Sequence, residues 1–367
     1  MLRGFLTKMI RLTEKEEERA FDLHRKSIVV VPHRDSASCD VAERRSRGER
    51  KVMESRQLPI LEQGGVTCVI ESVGGDTTLT STFPLRAMHS SASDSLKRSL
   101  ICIDSMVSDL HESREKLTHA TKASDVSDAK EKGKVAVIFG FEGGSPLQGD
   151  LGLLRTFYRL GVRCVQPAWI FRNTIVDGVW ERTTGDISNF GLEVIAEMNE
   201  LGMLIDVSHM KDQGFQDVME ATRKPVIASH SNSRSICDHP RNLSDDQIKA
   251  LAENEGVMGL NVGFVHKNGP PTLQGLLEHV DHVVDLVGAD HVGIFGDLNE
   301  QFPEEIYREI WKDTLFSFSF PRPQGLESLS KLPNFTKGLV SRGYSDQEIE
   351  KILGANFLRV FRDVFGE

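Results

Sequence analysis

Short apolar runs alternate with longer stretches of mixed character along most of the chain. The runs cover residues 27–33 (SIVVVPH), 66–71 (VTCVIE), 135–141 (VAVIFGF), 162–169 (VRCVQPAW), 204–209 (LIDVSH), 225–230 (PVIASH), 257–262 (VMGLNV) and 291–295 (HVGIF). Continuous apolar runs of this length predict strands covered on both faces, as in a parallel sheet. Pro167 weakens the fourth of them, because proline cannot donate to a ladder.

The intervening stretches predict helices over 13–26, 84–121, 151–160, 188–201, 212–222, 245–255 and 273–287, with two more near 325–342 and 345–364. Thr13 ahead of Glu14, Glu16, Glu17 and Glu18 is a capped, acidic helix start. Leu85, Met88, Leu96, Leu100, Ile103, Met106, Val107 and Leu110 recur near helical spacing, and Gly161, Gly202 and Gly288 are stop signals. Residues 36–59 read as a long polar excursion. Their charge run from Glu43 to Lys51 reads as a solvated loop or helix face rather than a wall of a substrate pocket.

Strands separated by helices at this frequency predict an α/β fold of the single (β/α)8 TIM-type barrel class. No internal repeat or low-complexity linker interrupts the pattern. Residues 1–367 therefore read as one barrel domain, with 1–26 as an N-terminal helical extension and 325–367 as C-terminal helices that merely decorate it.

Composition narrows the function. The 367 residues carry a formal charge of −10, spread along the chain rather than blocked. That disfavours nucleic acid as a partner, which asks for a basic face. The opening Met1 to Arg11 is too broken by charge for a signal-peptide core, and no apolar run reaches membrane-spanning length. The expectation is a cytoplasmic enzyme that does not engage a membrane. Five isolated cysteines, Cys39, Cys68, Cys102, Cys164 and Cys237, suggest neither a disulfide framework nor a thiolate metal site. Cys68 and Cys164 lie inside apolar runs and read as inert buried thiols.

The candidate chemistry sits where the apolar runs end. The first run ends in His33-Arg34-Asp35, the third at Glu142, the fifth at His209, the sixth at His230 and the eighth just before Asp297. Residues two apart in an extended chain point the same way, so His33 and Asp35 can share a target. In a parallel barrel the carboxyl ends of the strands form the catalytic face. A lone histidine at a strand end is more often satisfied by neighbouring backbone, but five candidate ligands at one edge favour a metal site. His33 and Asp35 would complete one ion and His209 and His230 another, with Glu142 as the bridge and Asp297 left over. A bridging carboxylate suits two divalent ions about 3.5–4 Å apart. Donors of nitrogen and oxygen without thiolate suit zinc, and manganese or iron less well. The remaining histidines lie at strand starts, in helices or in loops and receive no ligand role.

The stretches VVVPHRD, FGFEGG, LGVRCVQPAWIFRN, NELGMLIDVSH, PVIASHSNSRSICDHPRNLSDDQI and GYSDQEIEKILGANFLRVF resemble the membrane (renal-type) dipeptidase family of the amidohydrolase superfamily, especially its bacterial members. The resemblance implies a binuclear zinc dipeptidase on a (β/α)8 barrel. It implies His33, Asp35 and Glu142 as ligands of one ion, Glu142, His209 and His230 as ligands of the other, and Asp297 as the acid–base residue. It also implies that Arg241 binds the substrate's terminal carboxylate, which a guanidinium fork can pair at both oxygens. Dimers are common in the family, so a homodimer is possible.

Three positions depart from the family pattern. Arg34 replaces an asparagine and adds charge beside the first ion; Trp169 stands where a substrate-contacting histidine or tyrosine is usual; and the eighth-strand motif reads Phe-Gly-Asp-Leu-Asn-Glu, so a second carboxylate becomes Asn299. The expected reaction is hydrolysis of a dipeptide by a hydroxide bridging the two ions, with Asp297 passing the proton to the leaving amine. Two rival readings stand beside it. One is another binuclear amidohydrolase, a lactonase or an N-acyl amino acid amidase. The other is a non-catalytic barrel that binds a ligand.

Overall fold

The computed structural model describes residues 12–76, 92–183, 185–298, 300 and 322–367. The expected N-terminal stretch 1–11, the start of the helix that was to carry Leu85 and Met88, and Asn299 lie outside the described residues.

Nine strands are formed among the described residues: β1 (Val30–Arg34), β2 (Cys68–Gly75), β3 (Leu117–His119), β4 (Val135–Glu142), β5 (Val162–Gln166), β6 (Leu204–Ile205), β7 (Ile227–Ala228), β8 (Val257–Asn261) and β9 (Val292–Gly296). Eight answer to the apolar runs. Every residue of β1, β2, β4, β8 and β9 is buried, which is why those runs lack polar alternation. One sheet runs β1-β2-β4-β5-β6, a second runs β7-β8-β9, and the pairings within both are parallel. A parallel bridge between Asp206 and Ile227 joins β6 to β7. At the other end of the order, the Asp297 amide donates to the His33 carbonyl at 3.1 Å and brings β9 to β1. The result is an α/β fold around a curled parallel sheet.

The ninth strand was not expected. Residues 84–121 were predicted as one helix; the described helix spans Ala92–Glu112 and is followed by β3 and a helix at Ala123–Glu131. β3 pairs with Val135–Val137 at the start of β4, whereas β5 pairs with Phe139–Glu142 at its end. The polar excursion is corrected as well. It folds into two wide π-type turns and two short helices between Ala37 and Gln63. Its charge run is split: Arg45 has a side chain only 6 % exposed and donates to Asp109 and Glu112, while Arg47 and Arg50 face solvent.

Strand side chains divide between two cores. One set, including Val31, Val69, Val137, Phe139 and Val165, packs under the surrounding helices. The other set is smaller in volume, with Val30, Cys68, Ala136, Cys164, Leu204, Ile227 and Val257, and gathers around Phe357 and Phe361. The last helix, Asn356–Phe365, is thus a packed member of the inner core rather than decoration. Its approach depends on Gly354, where a Cβ would lie 2.5 Å from the Ile28 carbonyl oxygen, just before β1.

Candidate metal centre

Because the strands are parallel, their carboxyl ends share one edge, and the predicted residues arrive there. His33 lies in β1 with Asp35 just beyond it, Glu142 is the last residue of β4, His209 and His230 follow β6 and β7, and Asp297 follows β9. The chain turns sharply at two of these points. His209 and Asp297 both have φ of 67°, a left-handed conformation that side chains other than glycine seldom adopt. Strain of this kind costs of order 1–3 kcal/mol and collects at functional sites. The turns are held by neighbours: the Val179 amide donates to the His209 carbonyl at 2.9 Å, and the Asp297 amide to His33.

The side chains converge. Nε2 of His33 lies 3.5 Å from Asp35 Oδ1 and 3.5 Å from Glu142 Oε1. This is the outer edge of hydrogen-bond distance, and Nε2 makes no well-directed bond. Glu142 Oε1 is also 3.2 Å from His209 Nε2 and 3.6 Å from His230 Nε2. The last two nitrogens face each other at 2.9 Å. The rings of His33 and His230 stack with centroids 4.0 Å apart. His33, Asp35 and Asp297 can bring one ligand atom each within 4.8 Å of one another, and so can Glu142, His209 and His230.

The charges here are poorly compensated by protein alone. Burial, reinforced by Asp35, pushes the Glu142 carboxyl well above the usual range. Burial and Asp35 push Asp297 up to about 6, against the pull of His33 and Arg241. Burial opposes a charge on His33, but Glu142 and Asp35 outweigh it and raise that imidazole to about 10. Burial, with Arg241 and His33 as positive neighbours, holds His209 and His230 well below their ordinary value. Two neutral imidazoles facing one another, a third imidazole nitrogen without a directed bond and carboxylates strained by burial form a donor set that fits a divalent cation.

The expected substrate residues flank this cluster. Arg241 is 3 % exposed. Its Nη1 donates to Ser231 Oγ at 3.1 Å, while Nε and Nη2 are buried with no partner among the described residues. Burial lowers its guanidinium to about 10 despite Asp297 and Glu142. The Trp169 ring centroid is 6.4 Å from that of His209. A half-buried carboxylate, Asp76, ties these loops together: it accepts from the Ser145 amide at 2.8 Å, the Trp169 amide at 3.3 Å and Asn173 Nδ2 at 3.2 Å. Gly75, with φ of 148°, lies where a Cβ would be 1.9 Å from the Glu142 carbonyl oxygen, so β2 closes against the bridge candidate only without a side chain.

Sequence reasoning missed four residues and misplaced one. Asp76, Asp206, Ser229 and Asn261 all touch the site's framework. Asn261 Nδ2 donates to Asp297 Oδ2 at 3.1 Å, and Asp206 groups with His33 and His230 as a possible ligand. A carboxylate inside the apolar run 204–209 was the available signal for Asp206. Arg34 was expected to add charge beside the first ion, but its guanidinium is taken up by other partners. Its Nη1 donates to Glu71 Oε1 at 3.0 Å and its Nη2 to Gln57 Oε1 at 2.7 Å.

A family model described as "Membrane dipeptidase (Peptidase family M19)" matches residues 17–308 and 317–365. Dipeptidase 3 of Rattus norvegicus is 34 % identical over 240 residues, covering 63 % of this chain and 45 % of that protein. Dipeptidase tcpJ of Claviceps purpurea is 31 % identical over 281 residues, covering 75 % of this chain and 61 % of that protein. The chain thus spans about half the length of these curated relatives. Among solved structures, an amidohydrolase from Pseudomonas aeruginosa superimposes with a TM-score of 0.79 at 25 % identity, covering 95 % of this chain and 99 % of that one. A metallopeptidase from Rhodobacter sphaeroides, liganded with a phosphinate mimic of the dipeptide L-Ala-D-Ala, has a TM-score of 0.77 at 22 % identity, covering 92 % and 100 %.

Proposed function

The chain belongs to the membrane dipeptidase family, and on that premise we propose that it is a binuclear zinc dipeptidase built on a closed (β/α)8 barrel. The barrel reading is supported by the Asp206–Ile227 bridge at one junction of the two sheets and the Asp297-to-His33 bond at the other. His33, Asp35 and Glu142 would hold one ion, and Glu142, His209 and His230 the other. When bound, such ions supply an activated water and polarise the carbonyl under attack.

The chain's own residues do the rest. Arg241 carries the substrate reading: a guanidinium with two buried, unpartnered donors asks for a planar anion, and a dipeptide's terminal carboxylate is one. Binding there limits the substrate to a short one, since the scissile bond must reach Glu142 from a fixed carboxylate. Asp297, half-buried and shifted toward neutrality, can take a proton and return it to the leaving amine. Asn261 keeps its carboxylate aimed at the cluster. Trp169 offers an apolar wall and no acceptor.

The test is zinc content of the purified protein, paired with hydrolysis of a dipeptide panel that includes L-D pairs and of matched N-acyl amino acids and lactones. Zinc near two per chain with dipeptide turnover is the expected result. Replacing Arg241 by Ala should weaken dipeptides far more than esters that lack a free carboxylate. Equal losses on both, or turnover confined to lactones or N-acyl amino acids, would overturn the substrate assignment.

A further inference from the structure

We propose that Asp206 and Ser229 are positioning residues that hold the proton of His230 on Nδ1, and so present the Nε2 lone pair toward Glu142 and His209. This rests on the reading of His230 as a metal ligand.

The argument follows the protons. Asp206 is 2 % exposed, and Ser229 and His230 are fully buried. Asp206 Oδ1 accepts the amide N–H of Ser208 at 3.0 Å and of Ser229 at 2.9 Å. Its Oδ2 faces the Ser229 hydroxyl. An ionised carboxylate only accepts, so the hydroxyl proton is committed to Oδ2. That leaves Ser229 Oγ as an acceptor toward its remaining neighbours, His230 Nδ1 at 2.6 Å and, more weakly, the Ser208 hydroxyl at 3.5 Å. The contact is favourable only if Nδ1 bears hydrogen. An imidazole that ligates through one nitrogen is neutral and carries a single N–H, on the other. Nε2 is then the unprotonated atom, and it is the one that points at His209 Nε2 and Glu142 Oε1.

The backbone supports the same alignment. The His230 amide donates to Ser208 Oγ at 3.2 Å, and the Asp206–Ile227 bridge keeps the two chain segments in register. His209 has no equivalent relay: its Nδ1 is buried with no partner among the described residues. The two imidazoles therefore differ. His230 is set in the ligating tautomer before any ion arrives, whereas His209 is placed by its left-handed backbone. Residues that fix a ligating imidazole in this way usually change metal affinity by about 10–100-fold when removed.

The full chain, labelled with 15N-histidine and stripped of metal, would be examined by long-range proton–nitrogen correlation, with the His230 signal identified by its loss in His230→Gln. The expected pattern is Nδ1–H in the parent protein and a mixture of tautomers in Ser229→Ala. Asp206→Asn should go further. Its amide oxygen stays on the two backbone N–H groups, its NH2 donates to Ser229, and the hydroxyl turns to His230, giving Nε2–H. Zinc affinity, measured by competition with a chromogenic chelator, should fall about 10–100-fold in Ser229→Ala and Asp206→Asn and stay near the parent value in Ser229→Thr. An Nε2–H pattern in the parent protein overturns the relay, as does equal loss in Ser229→Ala and Ser229→Thr. A parent protein that takes up no zinc overturns instead the metal reading on which the proposal rests.

Discussion

Asp297 and His209 combine a proposed functional side chain with a backbone that disfavours side chains. Asparagine tolerates left-handed φ nearly as well as aspartate does, so Asp297→Asn should keep the turn and its bound zinc while losing turnover by roughly 10²–10⁴. Near-normal turnover with zinc retained would remove Asp297 from the acid–base role. At His209, glycine relieves a conformation that alanine cannot. In chelated protein, His209→Gly should be more resistant to urea than His209→Ala by about 1 kcal/mol; equal stabilities would show that the turn carries no strain. His24 gives a pH prediction away from the cluster. It is 5 % exposed, and its ring nitrogens bond Thr336 Oγ1 at 2.7 Å and the Gly64 carbonyl at 2.9 Å. Burial holds its folded value below the ordinary 6.5. Protons then bind the unfolded chain first, so its contribution is complete above pH 6.5 and declines as pH falls below it, by up to about 1.4 kcal/mol per pH unit. Urea unfolding at pH 8 and pH 5.5 should show a smaller difference in His24→Gln than in the parent.

At the scale of elements, what could be read in advance depended on range. The strand ends carrying His33, Glu142, His209, His230 and Asp297 were legible because apolar runs announce buried parallel strands and all parallel strands finish at one edge. β3 was not: three residues between two helices carry no period. The excursion 36–59 was only partly legible because some of its charges find partners far along the chain, as Arg45 does with Asp109. The relay through Asp206 and Ser229 was hidden for the same reason, since it forms only when β6 and β7 lie side by side. The Arg34–Glu71 pair is fully enclosed, with side chains 1 % and 0 % exposed. Glu71 also accepts from Ser36 Oγ and the Ala37 amide, so the pair ties β1 and β2 to the turn that follows Asp35. Removing one partner of such a pair costs about 3–5 kcal/mol. Arg34→Met should lose that much in urea unfolding, and adding Glu71→Gln should recover part of it. A double variant no better than the single one would argue against a charge left stranded.

For the whole molecule, the two sheets meet at a thin place. β6 and β7 are two residues each, and a single bridge spans the gap between them. His209 leaves one side of that gap and His230 the other. No helix among the described residues is long and apolar enough to cross a membrane. With zinc present at about 100 times its dissociation constant, the folded state should gain about 2.7 kcal/mol over the chelated one; an unfolding midpoint that ignores zinc would argue against a bound ion. The amides of 204–209 and 226–230 should be the first to exchange with deuterium once a chelator is added. The feature that looks weakest as hydrogen bonding would then be a hasp: two short staves left nearly unpegged, which an ion held between His209 and His230 would fasten.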